Sequence, residues 1–152
     1  MQRKILSMVI AAIATLGVSV QVIAETTPED AKGYRTSVMT ALRGHIGAAS
    51  MTVRGLVDDH GQLAGHASGL ASTAAEFAHV FPEGSAVDES EALPAIWEEP
   101  EKFAAAIAKL QDATAAFVVA VDGGDKATIG GAFRDVGMSC RGCHDDFRVA
   151  HD

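Results

Sequence analysis

The 152-residue chain has two cysteines, Cys140 and Cys143, which flank Arg141-Gly142 and are followed at once by His144. Thiols three positions apart on a helix share one face, and an imidazole four positions after the first joins them there. Two thiols in that arrangement can each add to a vinyl group at the edge of one haem ring, forming two thioethers. The imidazole can then place a nitrogen beneath the iron as an axial ligand. Cys140-Arg141-Gly142-Cys143-His144 is therefore the C-x-x-C-H pattern of covalent c-type haem attachment. A redox-active disulfide pair would belong with a βαβ pattern, and a zinc site would need a second Cys or His pair at zinc-finger spacing. The sequence contains neither.

Haem attachment of this kind needs an exported chain, and the N-terminus reads as an export address. Arg3 and Lys4 form a short basic region, Ile5 to Val20 carries no charge, and Val22-Ile23-Ala24 places small or moderate side chains at a cleavage site. The pattern predicts a secretory signal peptide over residues 1–24, cut before Glu25, and a mature domain over 25–152 in an oxidising compartment, the periplasm. The alternative, an uncleaved anchor, fits less well because the apolar run is short for a span. No Cys lies near the cut, which excludes a lipoprotein. Cleavage removes two cations and no acid, taking the formal charge from −8 to −10. An acidic chain of this kind is not expected to bind nucleic acid, which demands clustered cations.

The elements that must position the motif read as helices. Thr27-Pro28-Glu29-Asp30 is a helix start, with Thr27 as N-cap and Pro28 in the first turn. Apolar residues recur at helical spacing through Tyr34, Val38, Leu42, Ile46, Ala49 and Val53, until Asp58-Asp59-His60-Gly61 breaks the pattern. A second stripe runs from Leu63 to Phe81. Residues 82–99 read as a long connection with an apolar anchor at Leu93-Pro94-Ala95-Ile96-Trp97. Pro100 opens a third stripe ending at Asp122-Gly123-Gly124. Asp125 can cap a fourth, which carries Ile129, Ala132, Val136, Cys140 and Phe147. With no strand pattern and short first and third connections, the expected fold is all-α: an antiparallel four-helix bundle with covalently attached haem. Aromatic residues are only 5% of the chain, so the core is expected to consist mostly of Ala, Val, Leu and Ile.

The attachment motif lies near the C-terminus, on the last helix, and is followed by Asp145-Asp146-Phe147-Arg148. In this the chain resembles the class II c-type cytochromes, the cytochrome c′ family. Further stretches carry the resemblance: Pro28-Glu29-Asp30-Ala31 with Tyr34-Arg35 and Met39, Phe81-Pro82-Glu83-Gly84-Ser85, Pro94-Ala95-Ile96-Trp97, and Phe133-Arg134-Asp135-Val136-Gly137. It covers essentially the whole mature chain. The resemblance implies one haem c per chain on Cys140 and Cys143, with His144 as proximal ligand. It implies Arg148 as a basic group beside the proximal face, a role compatible with a cation at a helix C-terminus. Arg35 matches a position near the haem propionates, although a lone Arg on a helix also suits a solvated surface. It also implies a homodimer through the first two helices as a family habit.

The sixth coordination position divides the family. Five-coordinate members cover it with an apolar side chain, and low-spin relatives ligate it with a Met; the matching residue here is Met39. Ligation by Met39 would suit an electron carrier with redox protein partners. A Met39 that only fills space would leave iron open to NO or CO, suiting gas binding or NO detoxification. An enzyme is not expected, since no distal His–Arg or carboxylate pair can be placed in the helix pattern. Met51 and Met138 read as core or surface. His45, His60, His66, His79 and His151 read as surface rather than ligands, with His66 at or near a loop.

Overall fold

A computed structural model describes residues 26–150. The expected signal peptide and His151 lie outside the described residues. Helix α1 spans Pro28–Val53, α2 Gln62–Ala75, α3 Ala95–Glu98, α4 Pro100–Gly123 and α5 Lys126–Phe147, with a 3-10 turn at Glu76–His79. Helix α1 packs on α2, α2 on α4, and α4 on α5, while α1 and α5 close the circuit with the sparsest contact. The four long helices form the expected antiparallel bundle. Helix α3 and the 3-10 turn are additions that lie in the long second connection and its approach.

Local chemistry sets the helix ends. The Asp30 N–H donates to Thr27 Oγ1 at 3.1 Å, and Pro28 follows the cap where its missing N–H costs no intrahelical bond. Gly61 (φ 97°) and Gly124 (φ 73°) take left-handed conformations that start α2 and end α4, allowing direct reversals where a side chain would be strained.

Asp125 caps α5, accepting from the Thr128 N–H at 2.8 Å and its hydroxyl at 2.6 Å. These two bonds, the hydroxyl first, hold its pKa below the ordinary Asp value. The cap is thus fully present above that ordinary value and is lost as pH falls through the lower folded value. Asp125→Ala is expected to lower the melting temperature by a few degrees at neutral pH. The gap to wild type should close in acid below the usual Asp range, as thermal melts across pH would record.

Three apolar clusters run along the bundle. Ala49, Leu63, Ala67, Leu70, Phe117 and Val136 form one, with Phe133 tilted on Phe117 at 5.4 Å between ring centroids. Val38, Ala74, Phe77, Val80 and Leu110 form the second. Ile96, Phe103 and Phe147 form the third. Small Ala side chains let the helices approach, as the composition predicts. The remaining four Phe form a chain, Phe77–Phe81–Phe103–Phe147, at 6.2, 5.0 and 5.0 Å between successive rings. Tyr34 departs from its stripe: it is exposed, and its hydroxyl donates to Glu76 instead of packing inward.

Candidate functional site

Cys140 and Cys143 lie one turn apart on the last part of α5, both partly buried and unpaired as a disulfide. Cys140 packs against the first and second clusters, and Cys143 against the third. The attachment segment therefore touches all three apolar groups. Burial raises both thiol pKa values, Cys143 to about 11, where Cys140 and then Asp146 add to the effect. Both sulfurs are accordingly thiols at physiological pH, unlike the low-pKa thiolates of redox or metal-binding cysteines. Among the described residues no cluster of three or more His, Cys, Asp or Glu could hold a metal ion.

His144 follows in the last turn of α5 and is exposed. Its pKa is nonetheless lowered, first by the loss of hydration around the ring and then by Arg148, with Asp145 and Glu91 acting in the opposite direction. The imidazole is therefore biased toward the neutral form that can donate a lone pair to iron. Arg148 stands one turn on, and its backbone N–H donates to the His144 carbonyl at 3.2 Å. Its side chain meets Glu91, with Nε at 2.8 Å and a terminal nitrogen at 2.6 Å from the same carboxylate oxygen.

Met39 lies on α1, partly buried against the second cluster alongside Cys140, Leu42, Phe81 and Ile107. The thioether and one attachment thiol thus border the same apolar group from two different helices, at the loosely closed side of the bundle. Two thiols, an imidazole biased toward its neutral form and an apolar wall that includes Met39 suit a covalently tethered haem.

Arg35 corrects the solvated-surface expectation. It is only 5% exposed, and its guanidinium donates to Ser85 Oγ at 3.1 Å, the Ser85 carbonyl at 3.0 Å and Ser90 Oγ at 3.2 Å. It also lies over Phe81 and Trp97, at 5.4 and 5.9 Å from the ring centroids. Burial lowers its pKa without approaching neutrality. Arg35 therefore fastens the 82–99 connection to α1, a role that the isolated cation on a helix did not signal. Among the described residues no buried side-chain nitrogen or oxygen lacks a partner. Arg35→Ala breaks that fully satisfied network and is expected to cost about 2–4 kcal/mol in denaturant unfolding. Arg35→Lys should recover only part of it, because an ammonium cannot reproduce the planar fork.

His45 and His66 also correct an expectation. Both are half-buried rather than surface, His66 lies within α2 rather than near a loop, and their Nδ1 atoms stand 3.2 Å apart. The sequence signal that could have found the pair is Gly69, a side-chain-free position one turn beyond His66. Met51 and Met138 are exposed.

The family model described as Cytochrome C' matches residues 30–148. The chain belongs to the cytochrome c′ family. It is a haem c-type cytochrome, with one covalently attached haem c per chain. The chain is 34% identical over 143 residues to cytochrome c′ of Rhodospirillum rubrum, covering 93% of this chain and 97% of the relative. It is also similar to cytochrome c-554 of Cereibacter sphaeroides, at 46% identity over 91 residues, 58% of each chain. Among solved structures, it is similar to a ferrous variant of cytochrome c′ from Alcaligenes xylosoxidans with bound NO. There the TM-score is 0.78 and the identity 30%, over 84% of this chain and all of that one. A carbon-monoxide-bound variant of the same cytochrome gives a TM-score of 0.76 at 32% identity, over 82% of this chain and 98% of that one.

Proposed function

We propose that this cytochrome is a periplasmic electron carrier, not an enzyme, with haem tied to Cys140 and Cys143 and iron ligated by His144 and Met39. The observation that carries this reading is the packing of Met39 from α1 and Cys140 from α5 against one apolar cluster. Haem c supplies a one-electron iron couple whose potential is tuned by axial ligands and burial. The chain's own residues do the rest. Cys140 and Cys143 fix the ring edge to α5, and His144 presents an imidazole whose lowered pKa keeps its lone pair available. Met39 presents a soft thioether from α1, a ligand that favours the reduced metal and raises the potential. A helix bundle that holds both ligands on packed elements changes little between redox states, which keeps electron transfer fast. Arg148, one turn past His144, is the basic group beside the proximal face, while Arg35, matched to a position near the propionates, is committed to Ser85 and Ser90. The acidic surface suits redox proteins that present a basic face.

A second reading, NO or CO binding at an open iron, is favoured by one specific finding: solved relatives at 30–32% identity carry NO or CO. It requires Met39 to fill space without bonding. Optical spectra of the purified ferric and ferrous protein test the choice. A low-spin ferric spectrum with the weak near-infrared sulfur-to-iron band supports the carrier. A high-spin ferric spectrum, with immediate CO uptake on reduction, overturns Met39 ligation and leaves gas binding.

A further inference from the structure

Away from the attachment motif, α1 and α2 bring two imidazoles together. His45 Nδ1 and His66 Nδ1 are 3.2 Å apart, and the ring centroids are 5.5 Å apart with the planes at 60°. The seat is shaped for this contact. A Cβ at Gly69 would fall 2.4, 2.5 and 2.8 Å from three atoms of the His45 ring, so the space where residue 69 would carry a side chain is filled by that ring. Any residue but glycine there would force the His45 ring out of its present position.

In the metal-free protein one Nδ1–H donates to the other Nδ1, a bond in which a proton occupies the place between two nitrogen lone pairs. A metal ion replaces such a proton readily, since imidazole nitrogen is the commonest protein ligand for zinc, copper and nickel. The spacing is close to what is needed. Tetrahedral zinc with bonds of about 2.05 Å sets its ligand nitrogens about 3.3 Å apart, so the present 3.2 Å requires almost no change. The rings point nearly head-on, so the ion would sit off the line between the nitrogens and each ring would turn by about 35° to aim its lone pair, drawing the centroids together by only about 0.3 Å.

We propose that His45 and His66 form a binding site for one divalent transition-metal ion, bridging α1 and α2 through their Nδ1 atoms. Among the described residues no third His, Cys or carboxylate joins the pair, so water completes the coordination. A two-imidazole site of this kind is open and exchangeable, unlike the closed four-ligand sites that build structure. Because the ion would hold α1 to α2 and bind only the folded arrangement, it would also stabilise the bundle.

Zinc is the probe, titrated calorimetrically into the haem-loaded protein. One ion per chain should bind with a dissociation constant in the micromolar range, and saturating zinc should raise the melting temperature by several degrees. His45→Gln and His66→Gln should each weaken binding at least tenfold. Gly69→Ala should do the same while keeping both imidazoles, which separates a built pair from two independent surface histidines. His60→Ala, a change at an exposed histidine outside the pair, should leave the affinity unaltered. Circular dichroism confirms that each variant is folded before its titration is scored. Unchanged zinc affinity in folded His45→Gln and His66→Gln, or no binding by the wild type up to millimolar zinc, would overturn the proposal.

Discussion

Met39→Ala is expected to turn a low-spin ferric protein into a high-spin one and to open the reduced protein to CO. With Met39 bound, CO can enter only when the thioether has left. If that open state is about 1% of molecules, the apparent CO affinity is held back about a hundredfold, and removing the sulfur releases it. The reduction potential should fall at the same time, because a thioether ligand favours the ferrous iron. Met39→Leu separates bonding from packing. Leu nearly conserves volume, so a side chain that only lines the second cluster would tolerate it with little change. If Met39→Leu leaves the ferric spectrum and CO binding as in wild type, Met39 is not the sixth ligand. The spectra, a CO titration and a potentiometric titration together read the outcome.

The second large effect falls on the attachment thiols. Replacing Cys140 and Cys143 together by Ala should abolish covalent haem altogether. The mature chain should lose the mass of one haem, and any haem that remains should extract into acidified acetone. Each single replacement should keep one thioether and an unextractable haem. The two sites should differ in what they do to the fold. Cys140 packs where the first and second clusters meet, whereas Cys143 touches only the third, at one end of the bundle. Cys140→Ala should therefore be the more destabilising single change in denaturant unfolding. Covalent haem surviving the double replacement would sink the assignment of the motif.

The helices were legible because their signals are local. The spacing of Val38, Leu42, Ile46 and Ala49, the caps at Thr27 and Asp125, and the stop at Gly124 each involve residues within a turn or two of one another. The attachment motif was legible for the same reason: its three residues sit on five consecutive positions. What escaped depends on partners far away in the chain. Arg35 looks like any surface cation until Ser85 and Ser90 arrive beside it. Tyr34 carries the spacing of a core residue, yet Glu76 offers its hydroxyl a partner outside. His45 and His66 belong to different helices, and their meeting depends on how α1 and α2 are turned and on the missing side chain at Gly69. Helix α3 is one turn long, too short for periodicity to register.

The connection between α2 and α4 is fastened from both ends of the domain. Arg35 of α1 holds Ser85 and Ser90, across 50 and 55 residues of chain. At the other end, Leu93 donates its N–H to the Phe147 carbonyl, Val149 donates to the Glu91 carbonyl, and Arg148 pairs with Glu91 across 57 residues. A segment with so little regular structure of its own is expected to take shape only after both α1 and α5 have formed. Closing such long loops before any contact repays them is the slow part of assembly. Haem addition to Cys140 and Cys143 is therefore expected to precede closure of this clasp. Once the clasp closes, its residues open as one cooperative unit. Attachment first and closure afterwards is the order these long-range ties predict, and a haem-free chain should leave the 82–99 connection poorly protected in hydrogen exchange.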